Sequence, residues 1–194
     1  MATLKESPSQ TAGPFVHIGC VPQSAGLAQR HMGSQLGTSM ITEELQESSI
    51  SIDIMVFDGA GDPVKDALIE IWQAGPEGEY ANTHGFTNWG RQNSDLDTGL
   101  ARFTTLKPGV VETADTESAT QPQQSPHILV WVVARGINLG LTTRIYFPDE
   151  DNSNDPVLAL AGERSSSLIA EKTAQGYRHT IYLQGPNETV FFDV

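Results

Sequence analysis

The chain has 194 residues, the length of a single domain, and its 24 acidic side chains against 11 Lys and Arg give a formal net charge of −13. That charge repels phosphate backbones and anionic lipid, which excludes nucleic acid and membrane surfaces as partners, and no apolar run nears the ~20 residues of a bilayer span. The single cysteine, Cys20, cannot form an internal disulfide and suits a reducing, cytoplasmic setting.

Met1 to Gln10 lacks the basic start and apolar core of a secretion signal. Pro8, Gly13, Pro14 and Gly19 predict an extended, irregular course from Ser7 to Gly19. Phe15, Val16 and Ile18 within it need cover, either from the chain's own body or from a neighbour. Gln23 to Glu47 has no clear period, so residues 1–48 read as an arm and 49–194 as the folded body of one domain. Ile50 to Val56 alternates apolar and polar residues, Asp58 to Pro63 supplies turn chemistry, and Ala67 to Trp72 is apolar again, a strand, turn, strand pattern. Leu100 to Leu106 is a further strand, and Glu112 to Ser125 is a polar insert expected as an exposed loop. Ile128 to Ala134, Leu139 to Phe147, Tyr177 to Gln184 and Thr189 to Phe192 complete the predicted strands. Pro156 to Gly162 and Ser166 to Lys172 are the two short helical candidates. Short strands separated by Gly, Pro, Asn and Asp clusters predict an all-β fold, a β-sandwich.

The stretch Pro126 to Arg135 carries a histidine at one end and an arginine at the other with only apolar residues between. On a strand His127, Leu129, Trp131, Val133 and Arg135 share a face, and eight steps separate His127 from Arg135 by roughly 26 Å. One small-molecule pocket within the chain cannot hold both, so either they do unrelated local jobs or Arg135 serves a second site, such as one completed by a partner. The familiar phosphate-loop, zinc and serine-hydrolase motifs are absent. Tyrosinate with imidazole suits a hard ferric ion, and Tyr80 and His127 are candidates for such a pair. A lone histidine entering an apolar strand is more often a structural side chain, and two ligands hold iron weakly. Arg135, before Gly136, could present its planar fork to a carboxylate or make a surface ion pair.

Eight blocks in order, Thr11 to Gly19, Ile69 to Ala74, Gly78 to Tyr80, Lys107 to Gly109, Pro126 to Ile128, Ala134 to Asn138, Thr143 to Phe147 and Glu188 to Asp193, resemble the intradiol ring-cleaving dioxygenases over nearly the whole chain. In iron-bearing members two tyrosines and two histidines hold the ferric ion. Carried over by position, these fall on Tyr80, Val111, His127 and Leu129, so two of the four are hydrocarbons and the resemblance implies a vestigial centre with no metal or cofactor in this chain. The blocks match most closely the subunit type that lacks iron and walls the substrate pocket of an iron-bearing beta subunit. The resemblance then implies that the complex cleaves 3,4-dihydroxybenzoate (protocatechuate) with O2 to 3-carboxy-cis,cis-muconate. It places Fe(3+) on the partner and assigns Arg135, Thr11, Gly13 and Pro14 to substrate at the subunit interface. Phe15 stands where such subunits commonly carry tyrosine. Two alternatives stay open: a homomeric catechol-type enzyme with its own iron, and a non-catalytic sandwich serving assembly or carbohydrate binding.

Overall fold

The computed structural model describes residues 11–27, 36–81, 83–112 and 123–193. Among the described residues there are ten strands: β1 (Ile50–Phe57), β2 (Leu68–Gln73), β3 (Trp89–Asn93), β4 (Leu100–Thr105), β5 (Val111–Glu112), β6 (Gln123–Gln124), β7 (His127–Val133), β8 (Leu141–Tyr146), β9 (Glu171–Lys172) and β10 (Gly176–Tyr182). Two four-stranded sheets, ordered β4-β1-β10-β9 and β3-β2-β7-β8, form the sandwich, and β5 pairs with β6 as a separate ribbon.

Period-2 alternation explains the core. Ile52, Ile54 and Val56 of β1, Ala101 and Phe103 of β4, and Tyr177 and Ile181 of β10 point inward from one sheet. Ile69 and Ile71 of β2, Ile128, Val130 and Val132 of β7, and Ile145 of β8 meet them from the other. On the outer face of the first sheet Arg102 bridges Asp53 through two bonds of 2.6 and 2.8 Å. A smaller core of Tyr146, Leu158, Leu168 and Val190 lies beneath helix α2 (Pro156–Leu160) and the 3-10 helix Gly162–Leu168.

Three expectations need correction, while the strand, turn, strand pattern over Ile50 to Trp72 holds without its two strands pairing: β1 pairs with β4 and β10, and β2 pairs with β3 and β7 in the opposite sheet. Asp58 accepts from the Ala60 and Asp62 amides and folds the turn back on Val56, but Pro63 has no N–H to extend a ladder, and the chain then crosses between sheets. Pro14–Cys20 is a seven-residue helix, α1, rather than extended chain, because Pro14 sits at its first turn, where a missing N–H costs nothing. Thr189 to Phe192 is no regular strand; only Phe192 bridges, to Thr142, while Val190 turns into the smaller core. The second helical candidate ends at Leu168, after which Glu171–Lys172 forms β9. Of the polar insert, Gln123–Gln124 forms β6 and 113–122 lies outside the described residues.

Candidate functional site

Strand β7 carries both candidate centres, one at each end. At its start His127 is 2% exposed. Its Nδ1 lies 2.8 Å from the Ser125 carbonyl, which fixes the proton there and leaves Nε2 facing the Tyr80 hydroxyl at 3.5 Å. Burial holds the imidazole neutral, down to about 4, and the positive charge of Arg144 adds to the effect. Burial likewise raises Tyr80, against a smaller lowering by Arg144, so the phenol keeps its proton at neutral pH. Tyr80 is positioned by the turn after β2. Gly78 there takes φ +82°, and a Cβ on it would collide with the Val110 carbonyl, so the turn rests on the backbone beside Val111. Trp72 stacks on Tyr80 with planes 7° apart and centroids 6.0 Å apart. An opening of about 580 Å³ is lined by Glu77, Glu79, Tyr80, Val110, Val111 and Glu112.

A ferric ion of the kind iron-bearing members of that family hold does not fit these donors. The structure brings Tyr80 and His127 together, as the sequence predicts. Val111 and Leu129 offer no lone pair, and the neighbour of Leu129 across the β7–β8 ladder is Arg144, a cation. Among the described residues no cluster of three His, Cys, Asp or Glu side chains is placed to hold a metal.

The far end of β7 is open. Arg135 lies just beyond the strand with its side chain 77% exposed, and Asp66, which follows the crossover from β1, engages its Nε. The next residue, Gly136, takes φ +86° and donates its N–H to Thr11 Oγ1 at 2.9 Å, fastening the N-terminal segment to the Arg135 turn. Between them lies a largely apolar cavity of about 490 Å³ lined by Ala12, Gly13, His17, Ile18, Asp66 and Arg135. Thr11, Gly13 and Arg135 therefore meet in one place. Pro14 opens α1 beside them, and Phe15 is 81% exposed. Sequence reasoning missed Asp66 and His17. An acid two residues before a strand gives no signal of its own, and only the fold brings it to Arg135. Arg144 was hidden in the same way.

A family model described as a dioxygenase matches residues 12–185. The chain is 40% identical to the protocatechuate 3,4-dioxygenase alpha chain of Pseudomonas putida over 98% of its own length and 97% of that chain. The chain belongs to the intradiol dioxygenase family. A second family member, the alpha chain of the same enzyme from Burkholderia cepacia, is 37% identical over the full length of both chains. The Burkholderia cepacia beta chain is 29% identical over 69% of this chain and 63% of that one. Among solved structures, catechol 1,2-dioxygenase from Pseudomonas arvilla C-1 superposes with a TM-score of 0.57 at 18% identity, covering 91% of this chain and 72% of that chain, which supports the intradiol fold.

Proposed function

We propose that this chain is the iron-free subunit of a protocatechuate 3,4-dioxygenase and completes the substrate pocket of a partner subunit of the same family that holds the ferric ion. The carrying observation is the contrast along β7: a half-built centre at the buried His127 and the partly exposed Tyr80, and an open site at Arg135 and Thr11. Full-length likeness to two alpha chains supports the same reading. The complex would convert 3,4-dihydroxybenzoate and O2 to 3-carboxy-cis,cis-muconate, with ring activation supplied by the partner's iron.

The residues of this chain bind and orient. Arg135 offers a guanidinium, aimed by Asp66, to the ring carboxylate of the substrate, a charge-assisted contact worth about 1.5–3 kcal/mol. Thr11 ties the segment carrying Gly13 and Pro14 to the same turn, so that backbone closes over the ligand beside the guanidinium. Phe15 supplies exposed apolar surface for the partner to cover, with no phenol to donate a hydrogen bond. A homomeric enzyme with its own iron finds no support in Val111 and Leu129.

The test is Arg135→Ala in the assembled complex, with kcat/KM measured on protocatechuate and on catechol, which has no carboxylate. Protocatechuate turnover should fall while catechol turnover holds. An unchanged ratio of the two would remove Arg135 from substrate recognition.

A further inference from the structure

The half-built centre contains a positive charge that the ligand pattern does not foretell. In the sheet register Trp72 lies opposite Leu129, and Leu129 lies opposite Arg144, so a guanidinium flanks the leucine that stands at one ligand position. The Arg144 Nη1 donates to Gln124 Oε1 at 2.7 Å and to the Tyr146 hydroxyl at 3.3 Å. Gln124 in turn pairs with Val111 across the β5–β6 ribbon, so the same guanidinium is tied to the strand beside the other hydrocarbon position. The Tyr146 ring whose hydroxyl it engages lies against the His127 ring, with centroids 5.8 Å apart.

Among the described residues Arg144 is in no ion pair, although the chain is strongly acidic. The nearby buried carboxylate, Asp155, is occupied elsewhere. It accepts from the Ser125, Val157 and Leu158 amides and from the Tyr146 hydroxyl at 2.7–3.0 Å. Arg144 also tethers β8 to β6 through the Gln124 acceptor, while its bond to Tyr146 stays within β8. A guanidinium stays charged at every pH the protein meets and cannot yield its place by losing a proton.

We propose that Arg144 is the resident cation of this half-built centre, tying β8 to β6 and closing the centre to metal ions independently of the two missing ligands. The inference concerns this chain's own pocket and stands whether or not a partner subunit carries iron. Its consequence is that restoring the ligands is insufficient: the guanidinium must also be removed.

The test uses the full chain purified alone, in a background where Val111→Tyr and Leu129→His rebuild the four donors. Three versions are compared: Arg144 retained, Arg144→Lys and Arg144→Met. Ferric iron per chain and the visible tyrosinate absorption are measured after loading and desalting, with a melting curve for each version. Iron should be retained by the Arg144→Met version at least tenfold better than by the other two. Equal retention in all three, or retention in none, overturns the proposal. Should the rebuilt chains fail to fold, single substitutions decide. Cu2+ is titrated into the native chain, Arg144→Lys, Arg144→Met and Arg144→Met with His127→Gln, following tryptophan fluorescence. Only Arg144→Met should gain a quenching site, and adding His127→Gln should abolish it; equal quenching by the lysine and methionine variants overturns the idea.

Discussion

The two ends of β7 present the same kinds of side chain in opposite surroundings. At the His127 end the buried polar groups are engaged locally: imidazole to Ser125 and Tyr80, Tyr146 to Asp155, and Asp155 to three amides. At the Arg135 end the guanidinium stands largely in solvent beside a cavity, held by a single acid and a turn that Thr11 fastens. A closed network stabilises the chain that owns it, whereas an open cation leaves its binding capacity for something outside. Changes at the first end should therefore register in stability, and changes at the second in turnover.

The largest expected effect is at Asp155, where alanine would strand several buried donors at once; the stability of the chain should fall by about 4 kcal/mol in a denaturant melt. Second is acid. His127 and His179 are held near 4 by burial against an unfolded value of 6.5, so the unfolded chain binds more protons between those limits. Stability is full above pH 6.5 and should decline as the pH falls towards 4, by roughly 3 kcal/mol per histidine. Urea midpoints across that range would measure it, and His127→Leu should flatten the slope. Third, Arg135→Ala should lower kcat/KM on protocatechuate by roughly tenfold to a hundredfold in the complex while leaving the melting temperature unmoved. Thr11→Val should cost kcat/KM about fivefold, with intact thermal stability, because an exposed neutral bond contributes about 1 kcal/mol. Smallest is Tyr80→Phe: at 3.5 Å its contact with His127 is at the limit of a hydrogen bond, and stability should change by under ~0.5 kcal/mol.

Much of this division was legible in the chain. The alternation in β1, β7 and β10 is strong because one face meets the opposite sheet, and a single period carries the signal. Strand β3 was not legible, since Trp-Gly-Arg-Gln-Asn has no apolar period. Its inward position is Gly90, pressed on Met40 and Phe103, while Trp89 and Arg91 turn outward to the Glu70 carboxylate. Thr189 to Phe192 carries strand-like composition, but its partners are a helix and a single bridge. At the site, Tyr80 and His127 could be paired from the sequence by resemblance, and their contact follows in the structure. Arg144 and Asp66 gave no signal, because their meaning comes from cross-strand neighbours: Leu129 for the first and the Arg135 turn for the second. Pairing of that kind is set by register, which one sequence does not display.

The parallel ladder between β1 and β10 bears on how the molecule is made. Ser51 pairs with Gly176, which are 176 − 51 = 125 positions apart, and β1 sits inside its sheet between β4 and β10. During synthesis the first sheet keeps one edge of β1 bare until β10 has followed it, and closing so long a loop is slow. The first sheet is therefore complete only once β10 has docked, and a partner that recognises the finished surface must wait for that step.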